Sequence, residues 1–104
     1  MSRFYITTAI DYVNGQPHLG HAYEKILADA IARWHRQQGH ATFYLTGTDE
    51  HGQKVARTAA AAGMAPQAFV DEISQTFVGA WKVLDVQYDQ FFRTTDRRHE
   101  LAVQ

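Results

Sequence analysis

Along the 104-residue chain, the spacing of hydrophobic and polar positions switches between two periods. An apolar run, Phe4-Tyr5-Ile6-Thr7-Thr8, comes first, and residues 3–8 are expected to form a strand. Residues 9–17 carry the turn formers Asn14-Gly15 and Pro17 and predict a loop. From about 20 to 38 the period becomes helical. Tyr23, Ile26, Leu27, Ala30, Ile31 and Trp34 recur at spacings of three and four and mark an expected core face. Glu24, Lys25, Asp29, Arg33 and Arg36 fall largely on the other side, which reads as solvated surface. Gly39 is the expected helix stop.

A second strand is expected over Ala41-Thr42-Phe43-Tyr44-Leu45-Thr46, parallel to the first because a helix intervenes. Residues 52–62 predict an Ala-rich helix closed by Gly63. Pro66 suits the first turn of the next helix, whose expected core face is Phe69, Ile73, Phe77, Trp81 and Leu84. Residues 88–92 predict a third strand, and 96–104 begin another helix. The predicted class is therefore α/β, with three parallel strands and flanking helices. The order reads as a Rossmann-like half domain, one unit cut off downstream, with no internal linker.

Composition narrows this picture. The apolar fraction of 45% and charged fraction of 20% are those of a globular chain. A formal charge of −1 leaves no electrostatic footprint for nucleic acid. With no cysteine, disulfides and a Cys-based zinc site are excluded within these residues. No stretch approaches the roughly 20 apolar residues of a membrane span, and no signal peptide is expected. These features suit a cytoplasmic location with no membrane partner.

The candidate chemistry lies in two turns. Asn14-Gly15-Gln16-Pro17-His18-Leu19-Gly20-His21 places two histidines three apart around a glycine, where the periodic helix begins. Orphan N–H groups and the positive end of the helix dipole favour anions there. His18 and His21 add side-chain donors, and Gly20 allows a flat ligand to approach the backbone. The second turn, Thr46-Gly47-Thr48-Asp49-Glu50-His51-Gly52, follows the second strand. Ligands of parallel α/β sheets gather at the carboxyl ends of strands, so Asp49 is a candidate partner for an ammonium group. The competing reading of Asp49 is a helix cap.

Residues 6–21, with the histidine pair written His18-Leu19-Gly20-His21, resemble the first signature of the methionyl-tRNA synthetases, class I aminoacyl-tRNA synthetases. Leu45-Thr46-Gly47-Thr48-Asp49-Glu50-His51-Gly52 resembles their second marker, and the likeness continues into Phe92-Arg93-Thr94-Thr95. The chain is thus similar to the N-terminal part of the family's catalytic domain, residues 1–104, and the resemblance implies that its Rossmann-like half is of the HUP type. The resemblance implies that methionine and ATP, with Mg2+, condense to methionyl-adenylate, and that the aminoacyl group then passes to tRNA. It implies catalytic roles for His18 and His21, and ATP binding by Asn14, His18, Gly20, His21 and Glu24. It implies methionine binding by Ile10, Tyr12 and Asp49. No metal ligands are implied in this segment, and zinc is allowed only outside it.

The chain departs from the family pattern in places. Ala9 stands where many members have proline. Asp11 stands where many have tyrosine or proline, and it puts a negative charge near a loop expected to face phosphates. The family's lysine-bearing KMSKS loop and helical anticodon-binding domain are not in these residues, so the isolated fragment is expected to be inactive or very weak. Two other readings stay open. One is a small nucleotidylyltransferase with the same histidine pair. The other is a non-catalytic nucleotide- or amino-acid-binding module derived from a synthetase.

Overall fold

A computed structural model describes residues 2–104. The elements run β1 (Arg3–Thr7), β2 (Asp11–Tyr12), α1 (Leu19–Gln37), β3 (Ala41–Asp49), α2 (Gln53–Ala61), α3 (Pro66–Val83), β4 (Gln90–Arg93) and α4 (Arg97–Val103). The α/β class and the parallel pairing agree with the sequence reading. The sheet has four strands where three were expected, and the strand read over 88–92 runs Gln90–Arg93. The second strand runs on to Asp49, and the loop expected over 9–17 contains the two-residue strand β2.

All strands pair with β3, and all pair parallel. Leu45 is opposite both Thr7 and Gln90, and Thr48 is opposite both Asp11 and Arg93. Hence β1 and β2 lie in series along one edge of β3, with β4 on the other. The chain leaves this edge briefly at residues 8–10 and returns, so the loop after β1 is pinned where a ligand loop is expected. Gly47 makes the β3–β4 contact possible. A side chain there would fall on the Phe92 carbonyl oxygen.

Helix α1 corrects the reading of its own faces. Lys25, Ala28, Asp29 and Ala32 are the buried residues, whereas Tyr23, Ile26, Leu27, Ile31 and Trp34 stand exposed. The inversion has a packing cause. The helix lies on β1 and β3, and Ala28 and Ala32 permit a close approach that large side chains would prevent. The buried polar groups of Asp29 and Tyr44 are both bonded. Asp29 accepts the Gln87 N–H at 2.9 Å and the Arg33 Nε–H at 2.7 Å. Tyr44, wholly buried in β3, donates its hydroxyl to the Lys25 carbonyl at 3.1 Å. Desolvation pushes that phenol well above its ordinary pKa, so it remains a donor.

The face expected of α3 is found. Phe69, Ile73, Phe77 and Trp81 are buried, but Leu84, which ends the helix, is largely exposed. They join Val13, Ala28, Ala32, Tyr44, Val55, Ala59, Val70 and Val86 in one core. Gly39 and Gly63 end α1 and α2 with φ of 81° and 70°, left-handed values that favour glycine.

Two expectations follow. Gly47→Ala forces β3 and β4 apart and lowers the unfolding free energy by about 3 kcal/mol, the upper range for overpacking. Gly79→Ala, in open space within α3, raises it by up to about 1 kcal/mol. Paired urea titrations check both. The second expectation concerns pH. His35 stacks on Phe4 at 3.5 Å, and its Nδ1 lies 2.8 Å from that of His40, a bond that requires one ring to accept. Desolvation, then the His40 charge, hold His35 below the ordinary 6.5. The folded state therefore binds fewer protons than the unfolded state just below pH 6.5, and stability falls as pH drops through that window. Melting temperatures across this range should fall with acidification, with a shallower slope in His40→Gln.

Candidate active site

The first turn closes on itself through its histidines. His18 is the N-cap of α1, in extended conformation, and its Nδ1 accepts the Gly20 N–H at 3.0 Å. His21 reaches back, and its Nδ1 accepts the His18 N–H at 3.2 Å. This is a capping box made by two imidazoles, their rings stacked 3.7 Å apart. With both Nδ1 atoms accepting, the proton of each neutral ring sits on Nε2. Gly20 is needed by the cap itself, since a Cβ there would come 2.9 Å from the His18 ring. The first turn of α1 holds no acidic residue, so the positive end of its dipole is not cancelled from within.

His18 and His21 share a cleft of about 290 Å³ with Tyr12, Asn14, Gly15 and Gln16. Tyr12 connects this cleft to the second turn. It lies opposite Asp49 in the β2–β3 register, and the next residue, Val13, donates its N–H to the Asp49 carbonyl at 3.3 Å. The Tyr12 hydroxyl also packs on Gly52, whose φ of 119° and lack of Cβ leave it room. Asp49 is half-buried at the end of β3. It does not cap α2: the cap position is Gly52, and no side chain bonds the helix start. Its carboxylate makes no hydrogen bond among the described residues.

Of the residues expected to share one cleft with the histidines, Gly20 and Asp49 do not line it, and Ile10 and Glu24 border others. Ile10 lines a separate cleft of about 280 Å³ with Thr8, Thr46, Phe92, Thr94 and His99. Glu24 borders a third, beside Thr8 and Ala9, and its carboxylate accepts from Lys25 Nζ at 2.8 Å.

Sequence reasoning missed two polar groups. Asp11 is buried, and Lys25, expected in solvent, is wholly buried. Lys25 Nζ lies 2.7 Å from Asp11 Oδ2, a charge contact not aligned well enough for a hydrogen bond, and it donates to the Ala9 carbonyl at 3.2 Å. Asp11 Oδ1 is 4.0 Å from His21 Nε2. Burial lowers the pKa of His21. Asp11 and Glu24 raise it, His18 and Lys25 lower it, and the net direction is down, so the ring is neutral at neutral pH. The small residues Ala28 and Ala32, in helical step with Lys25, were the available signal that this face turns inward.

The other missed group is centred on Glu50, which is buried. Its carboxylate accepts from Thr48 Oγ1, from Thr95 Oγ1 at 2.7 Å, and from Arg93 Nε at 2.8 Å and Nη2 at 2.9 Å. Its N–H donates to Thr94 Oγ1 at 2.7 Å, and His51 Nε2 lies 3.1 Å from the Thr94 carbonyl. Arg93 extends the network to Asp71 of α3, whose pKa it lowers through their hydrogen bond.

The chain is similar to known proteins in sequence and in fold. A family model described as "tRNA synthetases class I (M)" matches residues 4–104. The methionine–tRNA ligase of Deinococcus radiodurans is 54% identical over 102 residues, covering 97% of this chain and 15% of its own length. That of Mycoplasma pneumoniae is 50% identical over 104 residues, covering all of this chain and 20% of its own. Mycobacterium tuberculosis methionyl-tRNA synthetase, solved in complex with methionyl-adenylate, superposes with a TM-score of 0.96 at 49% identity, over 98% of this chain and 20% of that one. The chain therefore spans 15–20% of the length of these relatives. With both turns present and the family model matched almost from end to end, the chain belongs to the methionyl (M) class I tRNA synthetases.

Proposed function

We propose that these residues form the N-terminal part of a catalytic domain that activates methionine with ATP, and that the whole protein passes the aminoacyl group to tRNA. The observation that carries this is the link between the two turns: the histidine pair and Tyr12 share a cleft, and Tyr12 and Val13 pair with the strand end that holds Asp49. The relatives named above, one of them bound to methionyl-adenylate, support it.

In this reading the methionine carboxylate attacks the α-phosphate of Mg-ATP and pyrophosphate leaves. Such a displacement is accelerated by positioning and by charge stabilisation. His18 and His21 offer Nε2–H donors to phosphate oxygens, with Asn14 beside them, and the uncancelled dipole of α1 favours the same charge. Gly20 lets the nucleotide approach the backbone, and Glu24 is assigned to the ribose. Asp49 pairs with the α-ammonium. Ile10 and Tyr12 offer apolar surface to the thioether, which packs well on aliphatic and aromatic groups. Glu24 and Ile10 border neighbouring clefts, so their roles require the ligand to reach past the histidine cleft. The protein is proposed to be cytoplasmic. No helix among the described residues is long and apolar enough to cross a membrane.

The test is ATP–pyrophosphate exchange by the intact protein with each amino acid in turn. Exchange that depends on methionine alone is expected, and its absence contradicts the proposal. His21→Ala should lower kcat by roughly 30- to 1000-fold, the cost of losing one donor to a developing oxyanion. Asp49→Ala should mainly raise the methionine KM, because an ammonium partner acts on ground state and transition state alike. If His21→Ala changed only the methionine KM, the assignment of His21 to the phosphates would be wrong.

A further inference from the structure

We infer that the buried Asp11–Lys25 pair sets the charge beside His21 Nε2, the nitrogen assigned to phosphate, which makes Asp11 a positioning residue that acts on this donor through its charge. This rests on the reading of His21 as a phosphate donor. Two charges removed from water must be paired, yet a buried ion pair is seldom more stabilising than apolar residues of the same volume. What the pair adds is a fixed charge beside a particular atom. Because His21 Nδ1 accepts from the His18 N–H, the proton of the neutral ring is on Nε2, and Asp11 Oδ1 lies 4.0 Å from that nitrogen. This is beyond hydrogen-bonding distance, so Asp11 favours positive charge on the ring through space and leaves the N–H free to donate.

Lys25 completes the device. An unpaired carboxylate behind the cleft would repel a polyphosphate. Nζ at 2.7 Å cancels most of that charge, and its bonds to the Ala9 carbonyl and Glu24 hold the ammonium in place. The pair also explains how the chain tolerates an acidic residue in a loop facing phosphates. The groups around His21 are Asp11 from β2, His18 from the turn, Glu24 and Lys25 from α1, and the uncharged Phe77 ring of α3, 5.3 Å away. Trp81, also of α3, lies 5.8 Å below Lys25 Nζ.

The two partners should act on His21 with opposite signs. Asp11→Asn keeps the shape and removes the negative charge, so the His21 titration midpoint should move to lower pH. Lys25→Met removes the positive charge and unmasks Asp11, so the midpoint should move to higher pH and the KM for ATP should rise. The double variant should titrate near the native position. The measurement is carbon–proton NMR of the intact protein with labelled histidine, His21 being assigned by its loss in His21→Gln. ATP–pyrophosphate exchange in Asp11→Asn should fall about fivefold, the order of effect of a unit charge acting at 4.0 Å in a high-dielectric site. Opposite shifts support the inference. Unchanged midpoints, or shifts of the same sign in both single variants, overturn it and leave the pair with a packing role only. Failure of the functional reading shows separately, as native protein without methionine-dependent exchange.

Discussion

The site is organised around the buried carboxylate of Glu50. It is bonded by Thr48 from its own strand, by both edge nitrogens of Arg93 from β4 and by Thr95, while its backbone N–H is held by Thr94. This network fastens the end of β3 to the end of β4, and through Arg93 and Asp71 to α3. Removing one partner from such a group leaves an uncompensated buried charge, which is far costlier than replacing the whole network. Thr48 and Glu50 are bonded to each other on one face, and strand alternation leaves Asp49 between them for the other. The backbone of Asp49 then pairs with β2, which leads directly into the histidine turn.

The same logic governs the histidine turn. Its geometry comes from a reciprocal cap rather than from the ligand: His18 and His21 each accept a backbone N–H, and the two Nε2 atoms are thereby made the free donors. The turn's electrostatics are set one layer down, by a lysine and an aspartate that solvent does not reach. A preorganised group of this kind does not have to be rearranged when charge develops on a bound phosphate.

Much of the fold was legible in the sequence, and the failures share one cause. Strands, helices and stops followed from periodicity and from Gly39, Gly63 and Pro66, and the α3 face was read correctly because its stripe is large, aromatic and uninterrupted. The α1 face was inverted because periodicity identifies a stripe but not which stripe meets the sheet. In α1 the large residues Tyr23, Ile26, Leu27 and Trp34 look outward, while the close contact belongs to Ala28 and Ala32 and to polar groups with buried partners. Those partners are remote in sequence: Lys25 meets Asp11, Asp29 meets Gln87, and Glu50 meets Arg93. No local pattern announces such pairs. The histidine pair, Asn14 and Tyr12 line one cleft as their shared turn suggests, whereas Gly20 and Asp49 do not line it and Ile10 and Glu24 border others.

The central claim is that the Glu50 network fixes the strand end carrying Asp49 and, through β2, the histidine turn. Amide hydrogen exchange of the intact protein carrying Glu50→Gln tests it most directly. The amides to follow are Val13, bonded to the Asp49 carbonyl, Glu50, bonded to Thr94, and Thr94, bonded to the Thr48 carbonyl. The account predicts exchange at these three faster by at least about tenfold, equivalent to 1.4 kcal/mol or more of lost local stability, with the amides inside α1 little changed. Unchanged rates at all three, or an equal rise throughout α1, would contradict it.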